Sequence, residues 1–481
     1  MRIGRIGACV LLLIVVGGPI AAEKKIKGGL TVDTKTHILD PKTRKPEDWT
    51  PQPTTTLDEA ALPPLKAAPK LDNYGGREDV KQPSTGYFTV AKLGERWWFI
   101  DPAGHPYLSV AVDSVAPPKT FHDSVPAWIE TTATLLTTDG FNSVGAWSDD
   151  AWADAKTFGK TTSRVPYTRI WNFMRDYSRD RKKLHAGTVV APGPSTFPHD
   201  TIPVFDPEFV TFCATRAAEL DATASDPYLL GHFSDNELPF HLDALKNGLT
   251  LPIDDPGNVA ARRWYKAQTG VEPPAGLEQQ PPSNAAAKFL AAIPASVNAD
   301  FVGYVTTEYF RIVSAAIHQH DKHHLFLGSR FNGRVMSEPT VFQAAGHFVD
   351  VVSVNYYGAW TPNQDLVRKW TTNSGRPVLI SEFYAKGMDS NLPNTSGDGW
   401  IVRTQEDRGR FYQNFVLGLM TAGNVVGWQW FKYMDYASKD GKDDSNQGIV
   451  DVQFRPYDKA LAWMAKLNRQ KYPLVDAIQS K

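Results

Sequence analysis

From about residue 107 onward, short apolar runs alternate with longer stretches whose apolar residues return every three to four positions. Such alternation is the sequence sign of an α/β fold with parallel strands. Eight runs read as strands: Tyr107–Val112, Phe141–Ala146, Tyr167–Trp171, Leu229–Phe233, Leu325–Gly328, Val349–Asn355, Val378–Ser381 and Val425–Trp430. Eight is the number a (β/α)8 barrel requires. The stretches between them have helical periods. Phe301–His318 sets Phe301, Tyr304, Val305, Tyr309, Ile312 and Ala316 on one face, and Arg408–Met420 does the same with Phe411, Phe415 and Leu419. Length alone allows two domains or one large barrel. The pattern favours one α/β TIM barrel over residues 86–481, with an extended N-terminal arm and loop insertions over its C-terminal face.

The remainder of the chain lacks that rhythm. Residues 1–22 begin with two arginines, pass through the apolar Ala8–Val16 and close on Gly17-Gly18-Pro19 before Ala21-Ala22. This reads as a signal peptide cut after Ala22, and it implies a secreted or periplasmic protein. The run is too short to span a membrane. Residues 23–85, rich in Pro, Lys, Thr and Asp, read as an arm or linker. Tyr87–Ala91 and Arg96–Asp101 form a hairpin. Phe173–Thr201 and the proline-rich Leu242–Ser283 are insertions that either build a cleft or are plain surface excursions.

Composition narrows the class. The net charge is −1, with both signs interspersed, so neither nucleic acid nor an anionic membrane is an expected partner. With the leader removed, Cys213 is the one cysteine left, and no internal disulfide can form. Fourteen Trp and 17 Tyr suit a protein that holds sugars, whose C–H faces are apolar, although a large chain also simply packs aromatics.

Two strand ends carry the chemistry. Pro227–Phe233 runs into Asp235-Asn236-Glu237 and is stopped by Pro239, while Pro377–Ile380 runs into Ser381-Glu382. Two carboxyl groups at the same ends of two parallel strands can flank one glycosidic bond, one protonated and the other ionised. Glu237 and Glu382 are therefore the expected catalytic pair, with Asn236 a candidate partner for a sugar hydroxyl. Trp428 and Trp430 share one face of the last strand. Asn142, Trp147, Arg330 and Asn332 are further candidate sugar contacts. Asp440–Gly448 has calcium-loop composition without EF-hand spacing, and His318, His320, His323 and His324 cluster where a helix ends. Neither reads as a metal site, no cofactor fingerprint is present, and none is expected.

The same residues resemble clan A glycoside hydrolases and, more narrowly, the β-agarases of glycoside hydrolase family 50. The matching segments are Trp97–Gly104, Gly140–Ser148, Asp235–Glu237, Asp350–Tyr357, Ile380–Phe383, Gly427–Asp435 and Asn446–Asp451, within roughly Gly86 to Leu467. The resemblance implies a retaining enzyme that cleaves β-linked galactose in agarose or a related galactan, with Glu237 as acid/base and Glu382 as nucleophile. It further implies that Tyr356, with Tyr357 in reserve, hydrogen-bonds the nucleophile and that Trp430 floors the subsite of cleavage; wall positions are the alternatives. The chain departs from the family in having only residues 23–85 before the barrel. A clan A β-galactosidase or other β-glycanase, and a barrel that binds carbohydrate without cutting it, are the rival readings.

Overall fold

The computed structural model describes residues 29–117, 125–153, 164–184, 197 and 199–480; the expected leader lies outside them. Eight parallel strands form the central sheet: β1 (Ser109–Val112), β2 (Ser143–Val144), β3 (Tyr167–Ile170), β4 (Leu229–Phe233), β5 (Leu325–Phe326), β6 (Val352–Asn355), β7 (Val378–Phe383) and β8 (Val425–Trp430). Their order is β5-β4-β3-β2-β1-β8-β7-β6. The ends of that order meet where Phe331 bridges Val354 and Asp350 N–H donates to the Phe326 carbonyl at 2.9 Å. The sheet therefore curls into a (β/α)8 barrel, as the eight apolar runs imply.

Strand faces sort into two apolar populations. Leu230, Phe233, Leu327, Val351, Leu379 and Val426 pack with Tyr107, Phe88 and Phe99 as one cluster, which fills the barrel interior. Their neighbours Leu229, Val352, Val378, Ile380, Val425, Trp428 and Trp430 belong to the larger layer shared with the helices. Alternation fails in β7, where the register to β8 shifts between Ile380 and Phe383. Such a bulge lets consecutive residues reach the same side.

The helices extend past their expected ends. The helix Ala295–His320 buries Phe301, Val305, Tyr309 and Ile312, and Gln405–Thr421 starts behind Thr404, whose side chain caps Asp407 N–H. The second insertion folds into helices Ala244–Leu249 and Pro256–Thr269. No single described helix is long and apolar enough to cross a membrane; the bent pair Asn284–Ala292 and Ala295–His320 passes on length and composition, but its Phe301, Val302 and Phe310 are core residues.

Residues before the barrel are tied to it. Thr31–Lys35 pairs with Thr50–Pro53 and with Trp400–Val402, which pairs in turn with Ala385–Gly387 just beyond β7. The hairpin Thr89–Leu93 and Arg96–Ile100 continues to Pro106–Tyr107 and packs Phe99 into the barrel interior. Tyr107 thus belongs to this antiparallel sheet, and β1 starts only at Ser109.

Candidate active site

The C-terminal ends of β4 and β7 bring Glu237 and Glu382 into one electrostatic neighbourhood, each raising the energy of a charge on the other. Glu382 ends the bulged part of β7 and is 6 % exposed. Its two oxygens are claimed separately: Arg330 Nη2 lies 2.8 Å from Oε1, and the Tyr357 hydroxyl donates to Oε2 at 2.7 Å. Both partners favour the ionised carboxylate. Burial pushes Glu382 upward, and Arg330 and then Tyr357 oppose that rise.

Glu237 is treated differently. It sits beyond the strand at φ 54°, in the left-handed region, and its side chain opens on the cleft. Asn355 Nδ2 and Asn332 Nδ2 both donate to its Oε1, at 2.7 and 2.8 Å. Among the described residues no cation lies within ion-pair distance of it, although the Arg330 charge acts on it from farther away. Although it carries accessible surface, protein atoms around the carboxyl displace most of its water; that desolvation, followed by the Glu382 charge, pushes it up to about 7. With Oε1 engaged by two amides, the proton of the neutral acid belongs on Oε2. Both carboxyls are thus raised by burial, and at Glu382 the Arg330 cation and the Tyr357 hydroxyl favour the charge against that rise.

Asn355, which the sequence reading missed, ties the two halves together. It pairs in register with Glu382, accepts from Ser381 Oγ at 2.8 Å and donates to Glu237 and, at 3.1 Å, to Asn236 Oδ1. Its signal was available, since it ends a predicted strand. Asp113, just past β1, was missed as well: it is wholly buried and accepts from Arg330 Nη2 at 2.7 Å. Burial pushes its carboxyl well above the ordinary range. Trp147, Glu237 and Arg330 all have positive φ, of 63°, 54° and 55°, which concentrates backbone strain at this mouth.

Several expected contacts take other positions. Tyr356 does not reach Glu382; its hydroxyl accepts from Asn363 N–H at 2.9 Å, and its ring packs on Trp370 and Phe415. Asn355 faces inward, so alternation turns Tyr356 outward and Tyr357 inward. Trp428 and Trp430 do share a face, but it is the outer one. Both are fully buried, donating to Tyr412 Oη at 2.8 Å and to the Gln447 carbonyl at 3.0 Å, so neither floors a subsite. Asn142 lies at the opposite end of the barrel, where its amide bonds the β1 backbone at Val110 N and Leu108 O. Arg330 is buried beneath the site and meets Glu382 rather than solvent. Trp147 is half-buried, 5.8 Å from Arg330, and lines a pocket with Tyr167 and Arg169. A second pocket, between Phe205, Gly248 and Phe301, is lined by neither glutamate.

Among the described residues, two Asp/His groups have ligand atoms close enough for a metal: His232, Asp321 and His324, and Asp72, Asp101 and His105. In the first, the ring nitrogens are already spent on Asp321, Trp171 and the Asp226 carbonyl.

No protein-family model matches the chain. β-Agarase B of Vibrio sp. (strain JT0107) is 26% identical over 385 residues, 74% of this chain and 37% of that protein. β-Agarase A of the same strain is 27% identical over 383 residues, 70% of this chain and 35% of that protein. The chain therefore spans little more than a third of the length of these curated relatives. Among solved structures, BpGH50 superposes with a TM-score of 0.79 at 24% identity, covering 95% of this chain and 99% of that one. An exo-β-agarase superposes with a TM-score of 0.65 at 19% identity, covering 85% and 68%. In sequence and in fold, the chain resembles the β-agarases of glycoside hydrolase family 50.

Proposed function

We propose that this protein is a glycoside hydrolase that cleaves β-galactosidic bonds in agarose or a related galactan with retention of configuration. The observation that carries the reading is the different treatment of the two carboxyls: Arg330 and Tyr357 hold Glu382, whereas the amides of Asn332 and Asn355 meet Glu237. In the mechanism, Glu382 attacks the anomeric carbon while protonated Glu237 gives its Oε2 proton to the departing oxygen. A glycosyl ester to Glu382 forms. Glu237, now ionised, takes a proton from water as that water displaces Glu382, which restores both groups. Asn236 is placed to meet a sugar hydroxyl beside Glu237, and Trp147 to present an aromatic face. The reading assigns catalysis to residues 86–481. The basic and apolar start of the chain, residues 1–22, supports export to the periplasm or beyond.

Reducing-sugar release from agarose, porphyran, carrageenan and plant β-galactan tests the reading, with wild type beside Glu382→Ala. Release from one galactan should fall by about 10⁴-fold in the variant. The first product should carry the β-anomeric proton signal by NMR. An α-anomer would remove Glu382 from the nucleophile role, and silence on every galactan would overturn the substrate.

A further inference from the structure

Asp398 is a further carboxylate at this mouth, and the mechanism does not use it. It is exposed, between Gly397 and Gly399, on the loop that follows the Ala385–Gly387 strand. Among the described residues its side chain has no hydrogen bond or ion pair with the protein. Its backbone, in contrast, is firmly held. Lys386 Nζ, buried beneath the loop, donates to the Ser396 and Gly397 carbonyls at 3.0 and 2.8 Å. Ser396 Oγ donates to the Asp443 carbonyl at 2.7 Å, and Asn446 N–H donates to Asn394 Oδ1 at 2.8 Å, so a second loop braces the first.

Both glycines press on Tyr384. A Cβ at Gly397 would lie 2.0 Å from its hydroxyl oxygen, and one at Gly399 would lie 2.4 Å from its ring. Tyr384 in turn meets Tyr357 edge-on at 5.6 Å, and Tyr357 bonds Glu382. Asp398 is therefore presented one aromatic ring away from the Glu382 partner. Consistent with that place, its charge acts on both glutamates, adding to the upward push that burial dominates.

A carboxylate with a braced backbone and a free side chain is built to accept hydrogen bonds from something outside the protein. Sugar hydroxyls fit that description. A sulfate ester does not, because it would place a like charge against the Asp398 carboxylate. Resting on the glycosidase reading above, we propose that Asp398 forms a sugar subsite beside the catalytic pair that accepts neutral galactose hydroxyls and rejects sulfated galactose.

The test compares kcat and KM on neutral agarose oligosaccharides and on sulfated porphyran oligosaccharides, for wild type and Asp398→Asn. Asparagine keeps the size and an acceptor oxygen but removes the charge. The sulfated-to-neutral ratio of kcat/KM should rise on the order of tenfold, chiefly through a lower KM for the sulfated substrate. Asp398→Ala should raise the neutral KM as well. Melting temperatures close to wild type confirm that both variants fold. An unchanged ratio overturns the proposal. Affinity electrophoresis through neutral and sulfated galactan gels reads the same preference without turnover. If wild type cuts neither polymer, the glycosidase reading fails, while equal retardation of wild type and Asp398→Asn in the sulfated gel separately sinks the Asp398 assignment.

Discussion

Two buried polar clusters lie within one barrel and are built on opposite principles. On the outer flank of β4 and β5, His232, Asp321 and His324 are completely satisfied. Trp171 Nε1 donates to His232 Nδ1 at 3.0 Å, both imidazoles meet Asp321 Oδ2 at 2.7–2.8 Å, and two backbone N–H groups fill Oδ1. At the mouth, Asp113 Oδ1, Arg330 Nε and Nη1, and both amide atoms of Gln429 are buried without a hydrogen-bond partner among the described residues. In the flank cluster every hydrogen bond is met from within the protein, and each such bond left unmet would cost about 1–3 kcal/mol. The mouth cluster instead combines buried charge with positive φ at Trp147, Glu237 and Arg330. The flank cluster holds strands together; the mouth cluster holds the Glu382 carboxylate.

Removing the keystone of each cluster gives the widest separation. Asp321→Ala should destabilise the fold by about 3–5 kcal/mol, since two imidazoles lose their shared acceptor in a dry site. A urea melt reads that loss, and kcat per folded molecule should be unchanged. A drop in kcat at full folding would mean that the flank communicates with the mouth and would break the contrast. Next in size, Tyr357→Phe should lower kcat by about 10- to 100-fold through the lost bond to a charged group, with Tm within about 2 °C of wild type. Tyr356→Phe is the control on the neighbouring outward position. Its kcat should hold while stability falls by about 1 kcal/mol.

Titration sharpens the comparison with the smallest effects. Glu237 is raised to about 7, chiefly by burial, so activity that needs its proton should fall as pH rises through about 7. The sign for stability is the same: a carboxyl raised in the folded state stabilises at low pH and loses that contribution as pH climbs through its folded value. Glu237→Gln should therefore flatten the decline of Tm between about pH 4.5 and about pH 7. Asp321 behaves in the reverse sense. Burial alone would raise it, but the bonds from His232 and His324 hold it well below the usual range, so its contribution is present above the unfolded value and lost as pH falls. Acid melts of Asp321→Asn and wild type should converge, and Glu237→Gln should leave the acid limb in place.

Much of this architecture was legible from periodicity. β4 and β8 match their apolar runs residue for residue, because Leu229–Phe233 and Val425–Trp430 are buried on both faces and end at polar positions. Glu237 and Glu382 were visible as carboxylates at the ends of such runs. Errors came where a side had to be chosen. Period 2 put Trp428 and Trp430 together but carried no sign of whether that face looked toward the helices or the cleft. Tyr356 and Tyr357 differ by one residue, and a single step along a strand exchanges the two sides.

The sequence by itself determined that this protein is a parallel α/β barrel, that two glutamates stand at its strand ends, and that its segments resemble an agarase family. Those properties depend on local alternation and on residue identity, which are written along the chain. Only the tertiary structure decided which carboxyl meets Arg330 and Tyr357, that Asn355 bridges the pair, that Asn142 lies at the far end, and that Asp398 stands free above the mouth. Each of those depends on contacts between residues distant in sequence. They are set by barrel closure and by one bulge in β7, which no periodicity records.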